Sequence, residues 1–147
     1  MKLNYQGFLL TDIQYKLKNM KSRIETSSNS NGILNIDNGR VALQTDKKGK
    51  RNAIITVGGK ASRANNSDLP VQQDLTLSAD FIFSVKLAEN ENFSEEKFKQ
   101  LTQDYALSFC VIKIQEIVKN ITSLDYGSPI VVRDFDLPSG ITIFREG

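Results

Sequence analysis

The sequence contains no histidine, an absence that removes the commonest general base, the usual zinc ligand and every Ser-His or Cys-His catalytic pair. It contains one cysteine, Cys110, so no intrachain disulfide can form; flanked by Phe109, Val111 and Ile112, its thiol is expected to be buried and inert. No apolar run approaches the roughly 18 residues that span a bilayer, and the opening stretch MKLNYQ lacks the apolar segment of a signal peptide. A cytoplasmic protein without membrane insertion is expected. Charge of one sign is scarce as well: 19 Lys and Arg against 17 Asp and Glu leave +2, too little to drive nucleic-acid binding.

Motifs that carry chemistry are missing too. There is no phosphate loop, dinucleotide fingerprint or metal-ligand cluster, and Gly58-Gly59-Lys60 ends a strand-like run with no helical pattern after it. The basic residues Lys47, Lys48, Lys50 and Arg51 surround Gly49 and read as a solvated hairpin tip. Asp134 and Asp136 alternate with Phe135 and Leu137, so they read as solvent-facing residues of an extended segment, not as a catalytic pair. The chain is therefore expected to be no enzyme and to need no cofactor or metal.

What is present is the material of one ordinary domain. The 147 residues, 39% apolar and 24% charged, suffice to bury about two-thirds of the unfolded surface around one core. Apolar residues at odd positions over 8–17 (Leu9, Ile13, Tyr15, Leu17) predict a first strand. Residues 25–32 are too polar to pack and read as a loop. Residues 33–44 and 51–60 follow as strands two and three, with 45–50 as the hairpin connection; within the former, Asn38-Gly39 is read either as a tight turn or as a bulge. After a second polar loop over 61–74, the clearest alternation in the chain runs over 75–87, where Leu75, Leu77, Ala79, Phe81, Phe83, Val85 and Leu87 line one face.

A helix is predicted over 94–120. Ser94 is a good N-cap, and Glu95 and Glu96 suit the positive end of the helix dipole. At 100° per residue, Ala106, Leu107, Cys110, Val111, Ile114, Ile117, Val118 and Ile121 share one arc that faces the sheet. Tyr105, Phe109 and Ile112 group on the far side, a spare apolar patch expected to hold an oligomer together, with Phe109→Glu expected to break the assembly and spare the fold. Residues 130–138 and 141–144 read as extended.

Successive strand-like runs, the last rich in phenylalanine (Phe81, Phe83), then an apolar helix, then Gly127-Ser-Pro-Ile leading to Phe135-Asp-Leu-Pro138, make the chain similar to the SecB family of export chaperones. The resemblance implies an α+β fold: a four-stranded antiparallel sheet with one long C-terminal helix on one face, assembled as dimer or tetramer. Tyr105-Ala106 match the family's aromatic-Ala-Arg signature while Leu107 replaces its arginine. The family's second C-terminal helix does not fit after Pro138, and no acidic tail follows, so contact with a translocation motor is not expected. The function implied is that of a holdase for unfolded or partly folded polypeptide, with a dedicated adaptor for one partner, such as a toxin-antitoxin or defence-system chaperone, as the alternative. Apolar residues left over from the core supply the peptide-binding candidates: Phe8, Leu10, Ile82, Phe135, Ile141, Ile143 and Phe144.

Overall fold

The run read as the most strand-like lies inside the sheet, paired on both sides. In the computed structural model, which describes residues 1–17, 32–36, 39–63, 73–123, 130 and 141–146, six strand segments form one sheet: β1 (Lys2–Leu17), β2 (Gly32–Ile36), β3 (Gly39–Thr45), β4 (Arg51–Arg63), β5 (Gln73–Lys86) and β6 (Ile141–Glu146). The order is β1-β5-β4-β3-β6, with β2 also on β4. All pairs are antiparallel except β3 with β6.

The odd residues of β5, from Leu75 to Val85, and Ala53, Ile55, Val57 and Ala61 of β4 are buried on one face. Burying such a Leu, Ile or Phe contributes about 1.5–3 kcal/mol each, which fixes the register, because a one-residue slip would turn the whole set outward. The helix covers this face. Its first part, α1 (Glu95–Leu101), begins at Ser94, whose Oγ accepts a hydrogen bond from the Lys97 amide at 3.4 Å. Its second part, α2 (Leu107–Ser123), buries Leu107, Cys110, Val111, Ile114, Ile117 and Val118, which with Ala106 are the residues expected on the sheet side; Ile121 packs partly buried beside them.

Between α1 and α2 lies one π-helical turn, Thr102–Ala106. The buried Thr102 hydroxyl donates to the Phe98 carbonyl at 2.8 Å. Such a turn advances the chain by an extra residue, so side chains before and after it do not follow the 100° projection of an uninterrupted helix. At the far end, Thr122 is buried although polar. Its hydroxyl donates to the Val118 carbonyl and accepts from the Ile130 amide, both at 2.7 Å, tying the chain beyond the helix back onto its last turn.

Several sequence expectations are corrected. The expected second strand is described as two segments: β2 ends with Ile36 paired to Gly59, β3 takes up the pairing with Arg40 on Thr56, and both run in the same direction along β4. The turn or bulge read at Asn38-Gly39 involves residue 38, which lies outside the described residues. Gly58 and Gly59 lie inside β4, not at a strand end; a Cβ on Gly59 would stand 3.2 Å from the Asn35 carbonyl oxygen. The polar loop expected over 61–74 is shorter, because β4 continues to Arg63 and β5 starts at Gln73. The hairpin tip after β3 is as expected: the Asp46 carboxylate accepts from the Lys48 and Lys50 amides at 2.9 and 2.8 Å, and Gly49 supplies the positive φ of 80°.

Candidate functional site

The first strand carries the feature that sequence alternation alone misreads. Along β1, Tyr5 stands opposite Phe83 but Gly7 opposite Ile82, and Leu10 opposite Ala79 but Asp12 opposite Ser78, so Gln6 and Thr11 are extra residues in two bulges. Both tie themselves to β5. The Gln6 amide donates to Ser84 Oγ, and the Thr11 hydroxyl to the Ser78 carbonyl, each at 3.2 Å.

Residues directly opposite in an antiparallel pair share a face. The residues of β1 opposite the buried odd positions of β5 are therefore Leu3, Tyr5, Phe8, Leu10, Ile13 and Tyr15. Each bulge switches the parity once, from odd to even and back. Phe8 and Leu10, which simple alternation sets apart from Ile13 and Tyr15, lie on the same helix-side face as they do. The ring contacts agree: Tyr5 lies 5.5 Å from Phe83 and Phe8 5.9 Å from Phe81. Leu9, expected to face the core, stands opposite Asp80 on the open face of the sheet. Ile82 is on that open face too, between Ile54 and Gly7.

The helix does not reach far enough to cover this row. Phe8, Leu10 and Ile13 remain 39, 43 and 42% exposed on the very face that buries their β5 neighbours. β1 is also an edge strand, paired to β5 and to no other strand among the described residues.

At the start of β1 the row enters a trough of about 470 Å³, walled by Leu3, Tyr5 and Phe83 from the sheet and Leu101, Tyr105 and Phe109 from the helix. Phe109 is half-buried there, 4.7 Å from Tyr5 and 5.9 Å from Phe83. It is thus an inner wall residue, whereas its expected companions Tyr105 and Ile112 are 70 and 49% exposed. The start of the strand is fixed by charge. The Met1 ammonium bonds both Glu91 oxygens at 2.8 and 2.9 Å, and Glu91 also accepts from the Ala88 amide at 3.0 Å. The ammonium first, and that amide second, hold the Glu91 carboxyl below the ordinary glutamate range.

Of the other candidates, Ile141, Ile143 and Phe144 belong to β6 and pair in register with Gly39, Val41 and Ala42 of β3, while Phe135, Asp134 and Asp136 lie outside the described residues. Cys110 is fully buried in the core, and burial pushes its thiol up to about 12. Among the described residues no His, Cys, Asp and Glu group could hold a metal ion, and no helix is long and apolar enough to cross a membrane.

No protein-family model matches the sequence, and no curated protein is significantly similar to it in sequence. Solved structures do match. The Mycobacterium tuberculosis Rv1957 SecB-like chaperone, solved in complex with a ChAD peptide from the Rv1956 HigA1 antitoxin, aligns over 91% of this chain and 90% of its own, with a TM-score of 0.66 at 13% identity. The fold is SecB-like. A Streptococcus agalactiae protein of unknown function aligns over 92% of this chain and 98% of its own at 12% identity, with a TM-score of 0.44.

Proposed function

We propose that this chain is a SecB-like molecular chaperone of the cytoplasm, a holdase that binds unfolded or partly folded polypeptide without catalysis on the helix-side face of β1 and in the trough beside it. The observation that carries this reading is the row of apolar side chains on an edge strand, three of them about 40% exposed where their neighbours are sealed. Isolated exposed apolar residues are ordinary, but a contiguous strip on a core-facing surface leads to binding. An extended client fits it twice over: its backbone can pair with the free edge, and alternate apolar side chains can sit along the strip and in the trough. No titratable group is needed.

Assembly is part of the same reading. Tyr105 and Ile112 are the exposed apolar residues of the helix, and contact between copies through them would give the dimer or tetramer of the SecB-like arrangement. The test of function is light scattering of several unrelated denatured proteins with and without the purified chain. Protection of most of them at near-stoichiometric ratios is expected.

A second reading, a dedicated adaptor for one partner, is favoured by one specific observation: the Rv1957 chaperone of the same fold was solved with a peptide of a single antitoxin. In that case none of the unrelated proteins would be protected, and affinity capture would return one partner in fixed stoichiometry.

A further inference from the structure

The two edges of the sheet are treated differently. At one end β1, 16 residues long, pairs with β5 and with no other strand among the described residues; at the other, β3 is covered by β6, whose residues Ile141 to Glu146 pair with Gly39 to Gln44 along nearly the whole of β3. β3 does not depend on β6 for its place. It pairs with β4 over six residues and buries Val41 and Leu43 in the core.

β6, by contrast, is six residues long, has one neighbour among the described residues, and pairs with it in parallel, the geometry that is slightly less stable per residue. Ile130 is held by Thr122, and the ten residues 131–140 separate it from Ile141, so pairing β6 also fixes the far end of that span at an entropic cost.

We infer that the outer edge of β3 is a strand-accepting site that the chain's own β6 fills in cis, and that β6 there competes with extended client segments of similar pattern, β-branched or aromatic at most positions and free of proline. A tethered strand competes at an effective concentration on the order of millimolar. Weak segments at micromolar concentration are therefore kept out, and only segments that pair better than Ile141–Glu146 gain the edge. The β1 face remains open to every client, and the β3 edge adds a second, selective point of attachment. This rests on the chaperone reading only for the identity of the competitor.

The test is fluorescence anisotropy of a labelled peptide with the sequence of residues 141–146, titrated with the full chain and with the full-chain Thr142→Pro/Ile143→Pro variant. In a strand the amides point alternately to either side, so one of the two prolines removes a donor aimed at β3 whichever way the ladder runs. The variant is expected to bind the peptide at least ten-fold more tightly than the unaltered chain. Equal binding, or none to a variant that unfolds cooperatively, overturns the inference. Should the variant not fold, hydrogen exchange on the unaltered chain decides: β6 amides and alternate β3 amides are expected to exchange at least ten-fold faster than those of β5, and equal protection overturns the inference. Uptake of the peptide by the variant in a chain that protects no client would sink the chaperone reading and leave the strand-accepting edge standing.

Discussion

Replacing Leu10 and Ile13 together by threonine should cripple polypeptide binding while leaving the fold in place. Threonine is a good strand former, so β1 keeps its local preference. Full burial of a leucine or isoleucine side chain is worth about 1.5–3 kcal/mol. Because 43 and 42% of these two residues is still exposed, roughly 0.6–1.2 kcal/mol apiece is left to be gained when a client covers them. Losing both forfeits about 1–2.5 kcal/mol, a loss of roughly 5- to 60-fold in affinity at about 1.4 kcal/mol per tenfold. The assay is calorimetric titration of a permanently unfolded client, paired with urea unfolding of each variant as a control. Leu9→Thr is the discriminating comparison. At 60% Leu9 is more exposed than either residue, yet the register puts it opposite Asp80 on the open face, so its replacement should change affinity by less than two-fold. If Leu9→Thr weakens binding as much as the double variant, or the double variant binds normally, the assignment of the site by register is wrong.

Other expectations follow from contacts elsewhere. Thr122→Val leaves the buried Ile130 amide without its acceptor and should cost about 1–3 kcal/mol in urea unfolding, whereas Thr122→Ser should cost less. Ile112→Glu is expected to dissociate the assembly in sedimentation with an unchanged melting temperature; Phe109→Glu, expected from sequence to spare the fold, should instead destabilise it, because a carboxylate would be forced among Tyr5 and Phe83. Native Cys110 should resist alkylation at pH 8, its thiol being buried and raised to about 12, and should react only as fast as the chain unfolds. Since the Glu91 carboxyl is depressed in the folded chain, its hold on Met1 is fully present above the ordinary glutamate range and is lost as pH falls through the lowered value. Amides at the start of β1 should exchange faster, relative to β5, once the pH drops below that range, and Glu91→Gln should abolish the difference.

The parts of the fold legible in the sequence are those where local period and tertiary face coincide. β5 shows its buried face because no bulge interrupts the parity from Leu75 to Val85, and the helix shows its sheet side because six buried apolar residues from Leu107 to Val118 lie on one uninterrupted stretch after the π-turn. In β1 the same rule fails. Strict alternation separates Phe8 and Leu10 from Ile13, but the spacing Leu3, Tyr5, Phe8, Leu10, Ile13, Tyr15, Leu17 has two steps of three, each placing an extra polar residue, Gln6 and Thr11, where the bulges lie. That signal was in the sequence, and a reading that permits bulges would recover it. The parallel pairing of β6 is different in kind: nothing local in ITIFRE specifies β3 as its neighbour. Thr122 escapes for a similar reason, since its burial depends on a hydrogen bond to an amide eight residues away.

The central claim, that polypeptide is held on the helix-side face of β1, is tested most directly by methyl NMR of the chain during titration with an unfolded client. The methyl signals of Leu3, Leu10 and Ile13 should shift together and saturate at one stoichiometry, while those of Leu9 and Ile82, on the open face of the same sheet, stay in place. Shifts confined to Leu9 and Ile82, or none in β1 at saturating client, would contradict the account.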